Sequence, residues 1–195
     1  MQSSDIVILV LIGLVLIAAI LIAVAMRRRR THILQDRFGD EYDRTLHEHG
    51  RRQAAEAVLE EREERVAKLE IRSLSAQERN AAITEWREVK AVFVDSPVEA
   101  VHHADRLLAS IMKARGYPMA DFDRRYEDLT VDHREVASHY RAGHEIAERQ
   151  GRGEATTEDL RQAMKHYEAL FDDFVRDAVD KEDRTATRRM ETTNG

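Results

Sequence analysis

Histidine is the residue type in this chain whose number first suggests chemistry, since nine histidines accompany 37 acidic residues and no cysteine. Two histidines on one helix reach the same ion only at i,i+3 or i,i+4 spacing, as in His-Glu-x-x-His. His139 and His144 are five residues apart, and after His144 the position of a second histidine is taken by Glu148. The spacing therefore predicts histidines at the edges of helices, without a metal site or a metal cofactor.

An acid–base site is the second possibility for these histidines. His139 and His144 flank an apolar helical stripe that also contains a tyrosine, and another tyrosine lies on the stripe of the last helix. Four residues form this candidate polar pocket: His139, His144, Tyr140 and Tyr167. General acid–base catalysis needs such groups within hydrogen-bond reach of a substrate proton, with Asp132 or Asp173 as an orienting carboxylate. An enzyme or metal-dependent protein that uses this pocket is the alternative function, although no residue is assigned as catalytic.

The remaining motifs and the composition exclude several classes of protein. The chain has no Gly-x-x-x-x-Gly-Lys, Gly-x-Gly-x-x-Gly or Gly-x-Ser-x-Gly sequence, so phosphate loops and nucleophile elbows are not predicted. A net charge of −6 gives no general attraction to nucleic acid. Without cysteine there is no disulfide framework, iron–sulfur cluster or thiol nucleophile.

One segment is too apolar to remain in water. Residues 6–25 contain only Ile, Leu, Val, Ala and Gly13, and as a helix they rise about 30 Å, the thickness of the hydrocarbon core of a bilayer. Each Ile, Leu or Val contributes roughly −0.3 to −0.6 kcal/mol to insertion. We predict a transmembrane anchor over residues 1–26, embedded in the lipid bilayer through side chains that include Ile6, Leu9, Leu16, Ile20 and Ala25.

The charges beside the anchor predict its direction. Four consecutive arginines, Arg27, Arg28, Arg29 and Arg30, follow it and would attract anionic lipid at about 1 kcal/mol each, whereas the other end carries only Asp5 and the terminal amine. The positive-inside rule places these arginines and the rest of the chain in the cytoplasm, with the N-terminus outside. The predicted location is therefore the inner (cell) membrane. Ala23-Val24-Ala25 has the form of a signal-peptide cleavage site, but the basic n-region is absent and the apolar core is longer than the usual 7–15 residues. An uncleaved single-pass anchor is therefore predicted.

A charged stalk follows the anchor over residues 27–70, broken at Phe38-Gly39 and at His49-Gly50. Arg51–Glu70 has few apolar residues and is expected to be a solvated helix. The weakly apolar stalk is one candidate binding face, and the other is residues 36–49, where apolar side chains lie beside acidic ones. This surface is predicted to bind a protein partner through exposed side chains of Phe38, Tyr42 and Leu46.

Apolar stripes at helical spacing predict a bundle of about five short helices over residues 71–180. Capping boxes begin two of the helices, at Ser75 with Glu78 and at Thr156 with Asp159, and Pro97 begins another. Gly143 on the fourth helix would let a neighbouring helix approach closely. The predicted helices cover 76–94, 97–115, 118–129, 133–149 and 157–180, and the polar tail 181–195 is expected to be disordered.

Four segments carry a resemblance to known proteins: 34–44 (Leu-Gln-Asp-Arg-Phe-Gly-Asp-Glu-Tyr-Asp-Arg), 115–118 (Arg-Gly-Tyr-Pro), 131–133 (Val-Asp-His) and 157–164 (Thr-Glu-Asp-Leu-Arg-Gln-Ala-Met). With them the chain resembles a family of bacterial single-pass membrane-anchored helical proteins, often labelled hypothetical or secreted. The resemblance implies no activity and no binding residue. Arg134 departs from the family, in which proline is expected at this helix start. The label "secreted" conflicts with the charge asymmetry, and we follow the charges.

These observations together predict an all-α protein, with a transmembrane helix, a charged helical stalk and a small helical bundle. Its expected role is non-catalytic: a protein-binding or scaffolding module held at the cytoplasmic face of the membrane. A stator-like subunit would need one long unbroken helix, which the glycine and proline residues of this chain exclude. The sequence does not specify the oligomeric state or the identity of the partner.

Overall fold

The computed structural model describes the backbone of residues 3–119 and 121–193 and the side chains of residues 11–119 and 121–176. Within these residues the chain forms eight helices and no strand, which confirms the predicted all-α fold. It divides into two compact units, Met1–Glu61 and Arg62–Gly195. The division lies inside a helix, whereas the sequence predicts a bundle domain that begins at residue 71.

The first unit contains α1 (Ser3–Phe38), α2 (Asp40–His49) and most of α3 (Arg52–Val66). Gly39 and Gly50 separate the helices, with φ angles of 54° and 67°. Glycine adopts this left-handed region without the steric cost that a Cβ would add. Both breaks thus occur where the sequence predicted them.

The apolar part of α1 fits the predicted membrane anchor. Residues 11–38 contain the one described helix that is long and apolar enough to cross a membrane, and the apolar window within it has no buried residue. Leu16 is 58% exposed and Ile20 is 62% exposed. Water would penalise so many exposed aliphatic side chains, whereas lipid would not. Ile6 and Leu9 lie outside the residues whose side chains are described.

The rest of the first unit has a buried apolar face. Five of its side chains are almost fully buried: Leu34, Phe38, Tyr42, Ala55 and Leu59. Leu34 and Phe38 lie one turn apart on α1, and Ala55 and Leu59 lie one turn apart on α3, so each pair occupies one side of its helix. The expectation of a solvated stalk helix is therefore wrong for α3, because its few apolar residues are concentrated on one face.

The second unit contains the end of α3 and five further helices: α4 (Ala76–Asp95), α5 (Pro97–Ala114), α6 (Phe122–Asp132), α7 (Arg134–Gly151) and α8 (Thr157–Thr193). The helix pairs α4–α5, α5–α8, α6–α7 and α7–α8 pack together. Their apolar stripes form one core, in which Trp86 stacks on Phe171 with ring centroids 4.7 Å apart. The predicted bundle is therefore observed, with the stripes of α5 and α8 at its centre.

Helix ends follow the predicted capping signals in two cases. The Ser75 hydroxyl accepts from the Glu78 amide, and the Glu78 carboxylate accepts from the Ser75 amide. Asp159 makes the same reciprocal pair with Thr156.

Two other helix ends differ from the prediction. α6 begins at Phe122 and not at Pro118, because the Asp121 carboxylate caps it by accepting from the Arg124 amide. α8 extends to Thr193, beyond the predicted end near residue 180. The tail 181–195 lies outside the residues whose side chains are described.

Gly143 lets α8 approach α7 closely, as the sequence predicted. A Cβ at this position would lie 2.6 Å from Cε1 of Tyr167. Such a distance is well below van der Waals contact, so a larger residue would displace the tyrosine ring. Gly143 thereby fixes how deeply Tyr167 packs into the core.

Candidate functional site

The four residues of the candidate polar pocket contact different neighbours within the described part of the chain. His139 turns to α8, where its Nδ1 lies 3.0 Å from Nδ1 of His166. His144 instead stacks on Phe122, with ring centroids 3.6 Å apart and planes within 5°. The two histidines thus contact different helices, on either side of the buried stripe.

The two tyrosines of that predicted pocket are buried and hydrogen-bonded. Arg125 Nε donates to the hydroxyl of Tyr140 at 3.1 Å, and the hydroxyl of Tyr167 donates to Asp105 at 3.4 Å. Burial, with the negative charge of Asp105, raises the pKa of Tyr140 to about 12. Burial and Asp105 also raise the pKa of Tyr167. Both hydroxyls stay protonated near neutral pH, so neither is a base.

Asp173 was predicted as an orienting carboxylate, and it does orient a histidine, but a different one. Its Oδ2 lies 2.6 Å from Nδ1 of His133, whose Nε2 lies 3.3 Å from Nη2 of Arg115. A guanidinium can only donate, so Nε2 of His133 accepts and Nδ1 carries the proton that it donates to Asp173. The contacts thus select one neutral tautomer of His133. Asp132, the other predicted carboxylate, is exposed.

Arg115 is the centre of this buried network. Arg115 is only 1% exposed, and its guanidinium carbon lies 4.6 Å from the centroid of the Phe174 ring. Nε of Arg115 donates to the carbonyl of Arg72 at 3.3 Å, and the Arg72 amide donates to the carbonyl of Arg115 at 2.8 Å. Because Nε2 of His133 is occupied by Arg115, this network holds elements together and offers no free base.

Gly116 explains how the segment before α4 comes so near to Arg115. Its φ is +99°, and a Cβ there would lie 2.5 Å from the carbonyl oxygen of Glu70. The sequence predicted a helix end at Gly116 but gave no sign that the preceding residue, Arg115, is buried. The partners of Arg115 are distant in the chain, so periodicity gives no signal for them.

A second arginine network joins α3 to α6. Nε of Arg65 donates to Asp128 at 2.8 Å, and Nη2 of Arg65 donates to Glu127 at 2.9 Å. Asp128 is fully buried. A buried carboxylate needs such a partner, since desolvation of an unpaired charge is costly. The role of this network is therefore structural.

In the first unit, basic side chains line a cleft of about 470 Å³ between α1 and α3. We call this the basic cleft. Its walls are Val24, Arg27, Arg28, Arg30, Thr31, Arg52, Gln53, Glu56, Ala57 and Glu60. Arg30 forms an ion pair with Glu60, and Glu56 accepts from the hydroxyls of Thr31 and Tyr42. The cleft therefore lies directly after the apolar segment and includes three of the four consecutive arginines.

No protein-family model, curated protein or solved structure matches this chain.

The predicted partner-binding residues do not form an exposed surface. Phe38 and Tyr42 are each 1% exposed, and Leu46 is half-buried. The correction has a simple cause: the breaks at Gly39 and Gly50 fold α2 back into the first unit, where the aromatic side chains supply its small core. The buried hydroxyl of Tyr42 donates a hydrogen bond to Glu56 at 3.0 Å. Burial and this contact raise the pKa of Tyr42.

Two further histidines have ordinary partners. His103 lies 3.2 Å from Glu85, and Nδ1 of His49 lies 3.1 Å from the carbonyl of Thr45. Among the residues with described positions, no three His, Asp or Glu side chains are grouped as metal ligands would be.

Proposed function

We propose that this chain is a single-pass protein of a bacterial inner membrane, with its N-terminus outside and both the end of α1 and the helical bundle in the cytoplasm. The exposed apolar helix and Arg27–Arg30 beside it support this topology, since positive residues are retained on the cytoplasmic side. We also propose that the chain is a member of the family of bacterial membrane-anchored helical proteins that its sequence resembles.

A non-catalytic role accounts best for the polar groups of the bundle. Several buried titratable side chains contact one another, as in Asp173–His133–Arg115 and Asp128–Arg65, whereas Nδ1 of His144 and Oδ2 of Asp128 have no hydrogen-bond partner among the described residues. A general base must present a free lone pair to a substrate. Nε2 of His133 accepts from Arg115, and the tyrosines keep their protons. The occupancy of Nε2 of His133 and of the hydroxyls of Tyr140 and Tyr167 is the observation that carries the proposal.

The bundle would then act as a protein-binding or scaffolding module concentrated at the membrane. Anchoring raises the effective concentration of a domain toward any partner on the same surface without a new contact. Two apolar side chains are exposed where α4 turns into α5, Val94 at 81% and Val98 at 39%. Since Phe38 and Tyr42 are buried, this α4–α5 corner replaces them as the candidate partner surface.

Topology is tested first, with reporters fused after Gly195. We expect a cytoplasmic fluorescent reporter to be active and a periplasmic phosphatase reporter to be inactive. A chain that begins near Met26 in cells, or an active phosphatase, would contradict the proposed topology. Substituting all of Arg27–Arg30 by glutamine should weaken the orientation, since these residues carry the positive-inside signal.

Partner binding is tested by photo-crosslinking in living cells. A photoreactive residue at Val94 should give one discrete adduct, identified by mass spectrometry. The control position is Glu88, which is exposed on the same helix about 120° around its axis. No adduct at Val94, or the same adducts at both positions, would contradict a specific surface at this corner.

A further inference from the structure

The basic cleft lies at the level where lipid headgroups would be found. Val24 is in the last apolar turn of α1, and Thr31 is about two turns further, so the α1 wall of the cleft rises about 10 Å. The polar headgroup layer on each side of a bilayer is about 5–8 Å thick. A cleft that begins in the last apolar turn therefore opens into this layer.

The charges of the cleft favour an anion. Four arginines line it, against Glu56 and Glu60. Both carboxylates already have partners, because Glu60 pairs with Arg30 and Glu56 accepts from Thr31 and Tyr42. Within the part of the chain whose side chains are described, Arg27, Arg28 and Arg52 form no ion pair. Three guanidinium groups thus remain for a ligand.

We propose that the basic cleft binds the phosphate headgroup of an anionic phospholipid. Guanidinium groups bind phosphate oxygens through paired hydrogen bonds, and Arg28 and Arg52 approach the cleft from different helices. Val24 and Ala57 add apolar walls against which the glycerol and upper acyl chain of a lipid can lie. The inference rests on the proposed membrane insertion.

A lipid is favoured over free phosphate by this position. A phosphate group that belongs to a bilayer is present at high local concentration in the plane of the cleft, whereas free phosphate is dilute. Arg29 and Arg51 serve as controls that distinguish a specific site in the cleft from a general attraction between positive charge and the membrane surface. Arg29 and Arg51 are exposed neighbours of Arg28 and Arg52 in sequence, and neither lines the cleft.

The test uses the full chain in lipid nanodiscs made from phosphatidylcholine or from its mixture with phosphatidylglycerol. Native mass spectrometry counts the lipids that remain bound after release from the disc. We expect phosphatidylglycerol to be enriched on the protein relative to the disc. Arg28→Gln or Arg52→Gln should each lower that enrichment roughly fivefold, which corresponds to about 1 kcal/mol, because each removes a guanidinium group that lines the cleft.

The matched controls are Arg29→Gln and Arg51→Gln, which remove the same charge beside the cleft. They should leave the enrichment nearly unchanged. Equal losses in all four variants, or no enrichment in the wild type, would overturn the headgroup site. Retention of inorganic phosphate by the protein in phosphatidylcholine discs, together with loss of phosphatidylglycerol from the protein when inorganic phosphate is added to the mixed discs, would overturn a lipid as the occupant.

Flotation with phosphatidylcholine vesicles separates this proposal from the proposed anchoring. The wild type and all four variants should float and resist alkaline extraction, because the apolar helix is sufficient for insertion. A chain that floats without lipid enrichment refutes the cleft alone. A chain that does not float refutes the membrane anchor and, with it, the headgroup site.

Discussion

His133 Nδ1 lies 2.6 Å from Oδ2 of Asp173, and this contact joins the residue between α6 and α7 to the middle of α8. Burial alone would raise the pKa of Asp173, but the hydrogen bond from His133 and the positive charges of Arg115 and Arg176 lower it overall. The fold therefore stabilises the ionised carboxylate. The same pair fixes the tautomer that presents Nε2 to Arg115.

Asp173→Asn should destabilise the second unit at neutral pH by roughly 1–2 kcal/mol, because His133 and Arg115 lose a charged partner. The Asp173 side chain is 32% exposed, and solvent screening therefore keeps the effect below that of a fully buried pair. Trp86, the one tryptophan of the chain, is buried against Phe171 and reports unfolding by its fluorescence in detergent micelles. Asp172→Asn, at the exposed neighbouring residue, is the control and should change stability little.

The pH dependence of this pair has a definite sign. A carboxyl group with a lowered pKa in the fold gives stability that is complete above its ordinary value of 3.8 and is lost as the pH falls through its folded value. The difference between wild type and Asp173→Asn should therefore shrink below about pH 4. A difference that is the same at every pH would contradict the charged contact.

Gly143→Ala should destabilise the α7–α8 pair by about 1–3 kcal/mol, because the added Cβ overlaps the Tyr167 ring. The gain in helix propensity, up to about 1 kcal/mol, offsets part of this cost. Gly151→Ala is the matched control on the same helix, since a Cβ there meets nothing within 4 Å. Urea unfolding followed by Trp86 fluorescence should show a loss only in the first variant. Equal stabilities would mean that Tyr167 moves aside without cost.

Sequence reasoning was most successful where a local physical cause determines the structure. Gly39 and Gly50 end helices through their backbone freedom, and the Ser75–Glu78 pair begins one through its own hydrogen bonds. The apolar stripe of α5 follows from a spacing of three and four residues. Each of these signals is contained within two turns of the chain.

The networks were missed because their partners are remote in sequence. Arg115 meets Arg72 and His133, and Arg65 meets Asp128, across many intervening residues. Periodicity classifies an arginine as exposed, and only the packed fold shows that a partner has removed the cost of its burial. The same limit applies to Phe38, whose burial depends on how α2 folds back after Gly39.

Gly116→Ala should cost more stability than Gly153→Ala, although both residues have positive φ angles, +99° and +74°. In each variant the backbone strain costs about 1–2 kcal/mol. At Gly116 the Cβ also meets the backbone carbonyl of Glu70 at 2.5 Å, whereas at Gly153 it meets nothing within 4 Å. Denaturant unfolding should therefore give a lower free energy of unfolding for Gly116→Ala than for Gly153→Ala. Equal losses would show that the backbone of residues 70–72 moves away from the added Cβ without a cost in stability.

The Glu78 carboxylate should titrate far below an ordinary glutamate. Its hydrogen bond with Arg72, and then those from the amide and hydroxyl of Ser75, lower its pKa to about 2. Arg72→Gln should raise this pKa toward the usual 4.5, and Ser75→Ala should raise it less. A carbon-detected NMR titration of the carboxylates measures both changes. Glu158, whose pKa of about 2 depends on Arg161 and Gln162, is the internal control and should not move.

The His139–His166 pair should make the contact between α7 and α8 sensitive to acid. Burial and the charge of His139 lower the pKa of His166, and the 3.0 Å contact between the two Nδ1 atoms requires at least one of them to be unprotonated. A histidine with a lowered pKa stabilises the fold above its ordinary value of 6.5, and this contribution is lost as the pH falls through the folded value. His139→Gln should raise the pKa of His166 in an NMR titration and reduce the acid sensitivity of unfolding. His102→Gln, at an exposed histidine of α5, should change neither, and an unchanged His166 titration in His139→Gln would contradict the coupling.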